Sequence, residues 1–544
     1  MTAGSRLFSA LAGLPAPVTR NVRVERGLRV VTPDGVVLLA DRYVPRRRER
    51  APIVLMRCPY GRGGTWGMLA RVIAEHGYQV VLQSCRGTFG SGGEFQPLRH
   101  ERSDGLATLE WLAAQPWFGG SVGMFGPSYL GYTQWSVAPD APAFLRALVP
   151  VITASEFGSL TYPGGGFALD MLLTWVRELA YQEETGLPRL RATLFGRRAL
   201  RRAFDHLPLR EADVLAVGHR VPLYRAWLDH AEPGDPFWDG LDFTARIPDV
   251  TAAVSLVGGW YDILLPHQLL DYVALRRTGR EVHLIVGPWT HLSVGAALVG
   301  VREALRWFAV HLDRRPGPRR SRVRVFVMGE GRWRDLADWP PAATSERWHL
   351  RAGGRLDPAP PADEPSDRYR YDPADPTPAV GGSLMSRGAG ARDNRRLEAR
   401  PDVLTYTTEP LDGHLEVIGP VSAQVHLRSS ATDTDVFVRL CDVSRDGRST
   451  NVCDGSLRLT ALGPAADGDG VRCVDVDLWP TAYRFRRGHR LRVQVSSGAH
   501  PRIARNLGGG EGLGGATAMH VAEQEILHCA THPSAIVLPV IGRG

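Results

Sequence analysis

The sequence predicts an α/β protein, with a helical cap inserted in its core and an all-β domain after it. Three observations carry that expectation. Apolar runs of β type alternate with helical runs from about Val30 to Val149, and again from about Val250 to Leu312. Between about Ile152 and Ile247 the β-type runs stop and helical periodicity takes over. Beyond about Arg347 short alternating segments, broken by Asp, Gly and Pro, replace both patterns. Alternating strand and helix signals indicate a parallel sheet covered by helices, whereas closely spaced alternating strands indicate a sandwich. The expected segments are 1–150 for the first part of the core, 151–247 for the cap, 248–346 for the second part of the core, and 347–544 for a jelly roll.

In chain order, APIVLMRCP, VVLQSC and VGMFG read as buried strands, with MLARVIAEHGYQ and DGLATLEWLAAQ as the helices between them. In the second half of the core, TAAVSLVGGWYD and EVHLIVGPWTH read as strands on either side of the helical HQLLDYVALRR, and VREALRWFAVHL closes the region as a helix. The cap is carried by FALDMLLTWVRELAYQEE and YRAWLDHA. Insertions at the carboxyl edge of a sheet commonly form a lid or a substrate pocket. Phe167, Met171, Leu172 and Trp175 are therefore candidates to line an acyl pocket, with ordinary cap core as the competing role. In the last third, Val421, Ala423, Val425 and Leu427 alternate with polar partners, as do Leu491, Val493 and Val495. The stretch Gly353 to Asp375, rich in Pro, Asp and Ala, reads as a loop or linker.

Composition narrows the function classes. At 544 residues the chain is too long for a single core. Its formal charge of +8 would suit nucleic acid, yet all 65 basic residues are arginine, scattered among 57 acids. The densest clusters, PRRRER at 45–50 and GRRALRR at 196–202, are short and read as solvated surface. No apolar run reaches 18 residues, and MTAGSRLFSALAGLPAPVTR lacks the clustered basic region and small-residue cleavage site of a secretory signal. The expectation is a cytoplasmic protein, with secretion as the alternative, and without a membrane or nucleic-acid partner; a homo-oligomer is compatible with everything above. The six cysteines form no C-x-x-C pair, and HExxH, P-loop and strand-linked GxGxxG motifs are lacking, so no metal and no cofactor are expected.

One stretch stands out. In GMFGPSYLGY, residues 123–132, Ser128 is surrounded by Gly123, Gly126, Pro127 and Gly131. Small residues before and after a serine let the chain turn sharply from strand to helix, lifting the hydroxyl above the sheet and aiming the next N–H, that of Tyr129, at a developing oxyanion. Such a serine needs a base, and the base a carboxylate. Asp262 ends the run TAAVSLVGGWYD and His291 ends EVHLIVGPWTH, giving the order Ser, Asp, His on successive strand ends that α/β hydrolases use. Asp249 and Asp271 compete for the carboxylate and His267 and His283 for the base. His283 falls inside an apolar alternation and reads as strand; His267 opens a helix after Pro266.

With these pieces in place, the sequence resembles the cocaine esterase-like and X-Pro dipeptidyl peptidase-like α/β hydrolases. The matching segments are RCPYGRG, LQSCRGTFGSGGEF, WFGGSVGMFGPSYLGYTQW, GGWYD, VGPWTH, VFVMGEGRWRDLADWP and ATDTDVFVRLCDV. The resemblance implies an α/β-hydrolase core, a helical cap and a C-terminal jelly roll. It also implies that Tyr60, in RCPY, donates its phenol to the oxyanion beside the Tyr129 amide, and that the Gly-rich loop from Arg86 to Gly93 is structural. The expected function is a serine hydrolase cleaving a small-molecule ester through an acyl-enzyme. The alternatives are an X-Pro dipeptidyl peptidase or amide hydrolase, an acyltransferase with the same triad, and, behind these, a non-enzymatic binding protein. An ammonium-binding pocket needs carboxylates. The apolar Ile263, Leu264, Leu265 and Pro266 after Asp262 argue for an ester. Glu156, Asp170, Glu178, Glu183 and Glu184 are the acids that could reverse that preference.

Overall fold

In the computed structural model, strands form where apolar runs of β type are long enough to be buried on both faces. All residues are described except 1, 47, 233, 318, 432, 463–469 and 544, so Arg47 of the first basic cluster lies outside the described residues. By contacts the chain divides into two units. The first comprises Met1–Phe157, Trp238–Gly259 and Leu264–Arg324; the second comprises Gly158–Phe237, Trp260–Ile263 and Val325–Gly544.

The first unit is built on strands β1 (Val22–Val31), β2 (Val37–Pro45), β3 (Ile53–Cys58), β4 (Gln79–Ser84), β5 (Val122–Pro127), β6 (Leu145–Val151), β7 (Ala253–Tyr261, as far as Gly259) and β8 (Val282–Thr290). They neighbour one another in the order β1-β2-β4-β3-β5-β6-β7-β8. The β1–β2 hairpin joins antiparallel, and β4, β3, β5, β6 and β7 are parallel neighbours. In β3 and β4 every residue is buried, the signature of a sheet covered by helices on both faces. The hairpin lies outside the strands singled out from sequence. Its turn is closed by Thr32, whose hydroxyl donates to the Val36 carbonyl at 2.9 Å, and by Gly35 at φ 81°.

The second unit contains the cap helices and a β-rich region. Its longest strands, Leu415–Ser429 and Arg472–Phe485, pair antiparallel. Val421, Ala423, Val425 and Leu427 are buried, and the residues between them are more exposed, as the alternation predicts. Gly353 to Asp375 differs from expectation. It contains the strands Arg355–Asp357 and Asp367–Tyr371, the latter paired with Ala522–Leu527. All four of its prolines before residue 370 fall between the two strands, whereas Tyr369 and Tyr371 alternate with arginines and are buried.

The cap helix Leu169–Tyr181 is tied to the β-rich region of the same unit. Asp170 accepts the backbone N–H groups of Met385 and Ser386 at 2.6 and 3.2 Å, and the Ala504 N–H donates to the Phe167 carbonyl at 2.8 Å. Among the described residues no helix is long and apolar enough to cross a membrane.

Candidate active site

Strand β5 ends at Pro127 and the helix Tyr129–Trp135 begins two residues later, with Ser128 between them at φ 54°, ψ −121°. A side chain in that left-handed conformation is strained and is held only where its surroundings over-determine it. The surroundings do so here. The Ser128 N–H donates to the Val151 carbonyl at 2.9 Å, and its carbonyl accepts from the N–H groups of Gly131 and Tyr132 and from the Thr153 hydroxyl at 2.8 Å.

The glycines of the motif are required by space. A Cβ on Gly126 would lie 2.3 Å from the Leu130 Cβ, and one on Gly131 would lie 2.4 Å from the Thr153 methyl group. Gly123 faces the Phe308 ring, which a Cβ would meet at 2.7 Å. Thr153 has no signature in the sequence. It follows Ile152, itself at φ 40°, and its role appears only when the end of β6 is seen against Ser128.

His291, the first residue beyond β8, brings Nε2 to 3.0 Å from the Ser128 Oγ. It is nearly buried, at 6 % exposure. The glycines of the surrounding motifs make room for Trp289. A Cβ on Gly287 would lie 2.6 Å from its indole, one on Gly295 2.4 Å from the indole nitrogen, and one on Gly259 2.4 Å from its carbonyl oxygen. Asp262, the first residue beyond β7, is fully buried.

The competing residues have other partners. His283 lies in β8, with Nε2 2.8 Å from the Ser321 carbonyl and Nδ1 3.5 Å from Glu303. His267 pairs with Glu156 at 2.9 Å. Asp271 accepts the Ser155 hydroxyl at 2.6 Å, and burial pushes its carboxyl up to about 7. Asp249 is exposed, 3.4 Å from Arg246.

Tyr60 follows β3 and stacks on Trp66, with ring centroids 5.9 Å apart; its ring meets that of Tyr129 edge-on at 6.3 Å. As the first helical residue, Tyr129 has no carbonyl one turn back within the helix to receive its N–H. Its phenol points the other way, donating to Glu101 at 2.7 Å while accepting from the Leu98 N–H at 2.9 Å. Burial, and then the Glu101 carboxylate, push this phenol well above its ordinary pKa, so it stays a neutral donor. Glu101 in turn pairs with the fully buried Arg57 at 2.7 Å, and Arg57 also donates to Gln83 at 2.9 Å. Arg86 joins Asp104 and Asp34, each at 2.6 Å, in the Gly-rich loop. This chain of paired charges beneath the nucleophile went unrecognised in the sequence, although Arg57 lies in RCPY and Arg86 in QSCRG.

The four cap candidates separate. Phe167 and Leu172 are fully buried; Phe167 packs between Tyr162 and Tyr224, at 5.5 and 6.0 Å. Trp175 stacks on Trp227 at 5.8 Å. Trp175 is buried as well, while Met171 keeps part of its surface exposed.

Comparison with known proteins follows the same lines. Residues 34–293 match the model of the X-Pro dipeptidyl-peptidase (S15) family, and residues 318–537 that of the X-Pro dipeptidyl-peptidase C-terminal non-catalytic domain. A cocaine esterase of Rhodococcus sp. is 33% identical, over 97% of this chain and 100% of its own. The chain belongs to the cocaine esterase-like S15 family of hydrolases. Among solved structures, an α-amino acid ester hydrolase superposes with a TM-score of 0.81 at 22% identity, covering 97% of this chain and 98% of its own. An aminopeptidase from a marine sediment Thaumarchaeota archaeon gives 0.80 at 23% identity, covering 97% and 99%. At those identities the likeness is one of fold, the α/β-hydrolase core and C-terminal β-rich domain. The family makes this hydrolase a serine enzyme acting on esters or peptides.

Proposed function

We propose that this hydrolase is an esterase cleaving neutral acyl or aryl esters of small molecules through an acyl-enzyme. The carrying observation is the 3.0 Å approach of His291 Nε2 to a serine Oγ held in a left-handed turn. Ser128 Oγ attacks the ester carbonyl while His291 Nε2 takes its proton. The C–O bond to the alcohol then breaks as His291 returns that proton to the leaving oxygen. Water repeats the sequence on the acyl-enzyme, releasing the acid and restoring Ser128. Asp262 is assigned to orient His291. The Tyr60 hydroxyl and the Tyr129 N–H are assigned to receive the oxyanion. Of the cap candidates, Met171 is retained as a pocket residue.

The ester preference rests on the acids. Asp262 is followed by Ile263, Leu264 and Leu265, all buried and apolar. Asp170 is engaged by two backbone N–H groups, Glu156 by His267, and Glu178, Glu183 and Glu184 are exposed. A desolvated ammonium without a carboxylate partner costs several kcal/mol. The name of the 33% identical relative points to ester cleavage. The test is a panel of aryl esters, matched α-amino esters and X-Pro anilides near neutral pH, with fluorophosphonate labelling located by mass spectrometry. Neutral esters are expected to exceed the cationic substrates in kcat/KM by about tenfold or more, with the label on Ser128. An X-Pro anilide as the best substrate, or a label on another serine, overturns the reading.

A further inference from the structure

The tyrosine that follows the nucleophile is held at both ends. Its backbone leaves Ser128 in the left-handed turn described above. Its hydroxyl accepts the Leu98 N–H at 2.9 Å, and Leu98 is left-handed too, at φ 72°, and buried. A residue with a Cβ adopts that conformation at a cost and keeps it only where its surroundings impose it. One such residue stands at each end of Tyr129.

The carboxylate that receives the phenol is fixed as firmly. Glu101 opens the helix Glu101–Ala113 and is buried. One of its oxygens accepts the Tyr129 hydroxyl at 2.7 Å, and the other lies 2.7 Å from Nη1 of Arg57. The same Nη1 donates to the Glu101 carbonyl at 2.7 Å, so one fully buried guanidinium grips both the side chain and the backbone of that residue. Gly105 admits the arginine: a Cβ there would lie 3.0 Å from Nη1 and 2.4 Å from the Val137 side chain. A carboxylate that left this geometry would strand a buried cation, which is strongly destabilising.

The anchored tyrosine bears on both groups assigned to the oxyanion. Its own N–H is one of them, and its ring meets that of Tyr60, the other, edge-on at 6.3 Å. A buried tyrosine needs one partner for its hydroxyl. A carboxylate locked by a buried arginine, together with an N–H donor from a strained turn, exceeds what packing requires.

We propose that Glu101 is a positioning residue for the oxyanion site: through the Tyr129 phenol it fixes the direction of the Tyr129 N–H and the ring edge that Tyr60 meets. Donors fixed before the charge develops need no reorganisation as it forms, and their catalytic effect lies there. This role rests on the assignment of Ser128 as nucleophile and of the Tyr129 N–H to the oxyanion.

The experiment cuts the link from either side. Tyr129→Phe removes the hydroxyl and leaves the Arg57–Glu101 pair; Glu101→Gln leaves the phenol an acceptor and removes the charge that Arg57 grips. Each variant is compared with wild type in kcat and KM on a neutral aryl ester, in inhibition by phenylboronic acid, and in active sites counted by fluorophosphonate labelling. Ser128 Oγ adds to the boron as His291 takes its proton, and the tetrahedral anion so formed reads the oxyanion site without turnover. Tyr129→Phe is expected to lower kcat per labelled site about tenfold, to leave KM within about twofold, and to weaken the boronic acid about tenfold. Glu101→Gln is expected to shift kcat and boronic acid affinity in the same direction by less. Either variant decides alone where the other fails to fold. A folding role only would lower the number of labelled sites and leave kcat per site and boronic acid affinity at wild-type values; that result in either variant, or a raised KM with unchanged kcat, overturns the role of Glu101. A wild-type label on a serine other than Ser128 overturns instead the assignment of the nucleophile.

Discussion

Tyr60 is the residue whose assignment rests on the family resemblance of its RCPY segment. Its ring has a packing role against Trp66 and Tyr129, and phenylalanine would preserve that role. Tyr60→Phe removes only the hydroxyl and keeps that ring packing. If the phenol receives the oxyanion, kcat should fall by roughly 10²–10³ with KM little changed, as on loss of one oxyanion donor. Steady-state kinetics on an ester whose chemical step limits turnover reads this directly, and an unchanged kcat returns Tyr60 to packing alone. Ser128 and His291 could be found in the sequence because a turn motif and a strand end mark them. Thr153 and Glu101 could not, because a hydroxyl that braces a carbonyl, or a carboxylate that braces a phenol, leaves no local pattern.

At the scale of the element, the strand-to-helix turn depends on closeness of backbone and side chain. Gly131→Ala places a Cβ 2.4 Å from the Thr153 methyl group, and Thr153 also braces the Ser128 carbonyl. The variant should lose about 1–3 kcal/mol by overpacking, and should lose activity beyond what instability explains. Urea unfolding beside single-turnover rates separates the two effects.

The neighbouring helix Leu265–Arg277 carries Asp271, pushed up to about 7 by burial against the counteracting Ser155 bonds and His267. A carboxyl raised in the folded state contributes stability that is complete below its unfolded pKa, near 4, and is lost as pH rises through about 7. Wild type should therefore lose stability from this group between about pH 4 and pH 7. Asp271→Asn should flatten that part of the thermal-midpoint profile, and an identical slope in both proteins would mean that Asp271 titrates normally. Strands β3 to β5 were legible because each carries a short buried run of apolar residues. The β1–β2 hairpin was not singled out, since β1 is mostly exposed and its apolar residues are interrupted by arginine and glutamate.

At the scale of the molecule, the cap does not stand by itself. Asp170 needs Met385 and Ser386, and the Phe167 carbonyl needs Ala504, all within the second unit. A chain ended at residue 346 leaves those groups without partners, and each buried polar group left unmet costs about 1–3 kcal/mol. Such a chain should be insoluble or lack a cooperative melting transition; a soluble fragment that melts cooperatively would refute the dependence. The three textures of the sequence, alternating, helical and short-stranded, foretold the α/β core, the cap and the β-rich region. Sequence periodicity reports local burial and cannot say which residues far apart in the chain exchange hydrogen bonds, so the grouping of the cap with the C-terminal strands was not legible.

The short segment Trp260–Ile263 is also grouped with the second unit. The Trp260 indole donates to the Phe326 carbonyl at 2.7 Å, and the Tyr261 hydroxyl donates to the Asn451 carbonyl at 3.1 Å. These two residues immediately precede Asp262. Recombination between relatives at the visible boundary near residue 346 would therefore exchange the acceptor of Tyr261 while leaving its donor behind. A chimera of this hydrolase that keeps this pairing within one parent needs two crossovers beyond that junction, one on each side of residues 260–263, and libraries built on a single junction should be depleted of active members even where both parents are active.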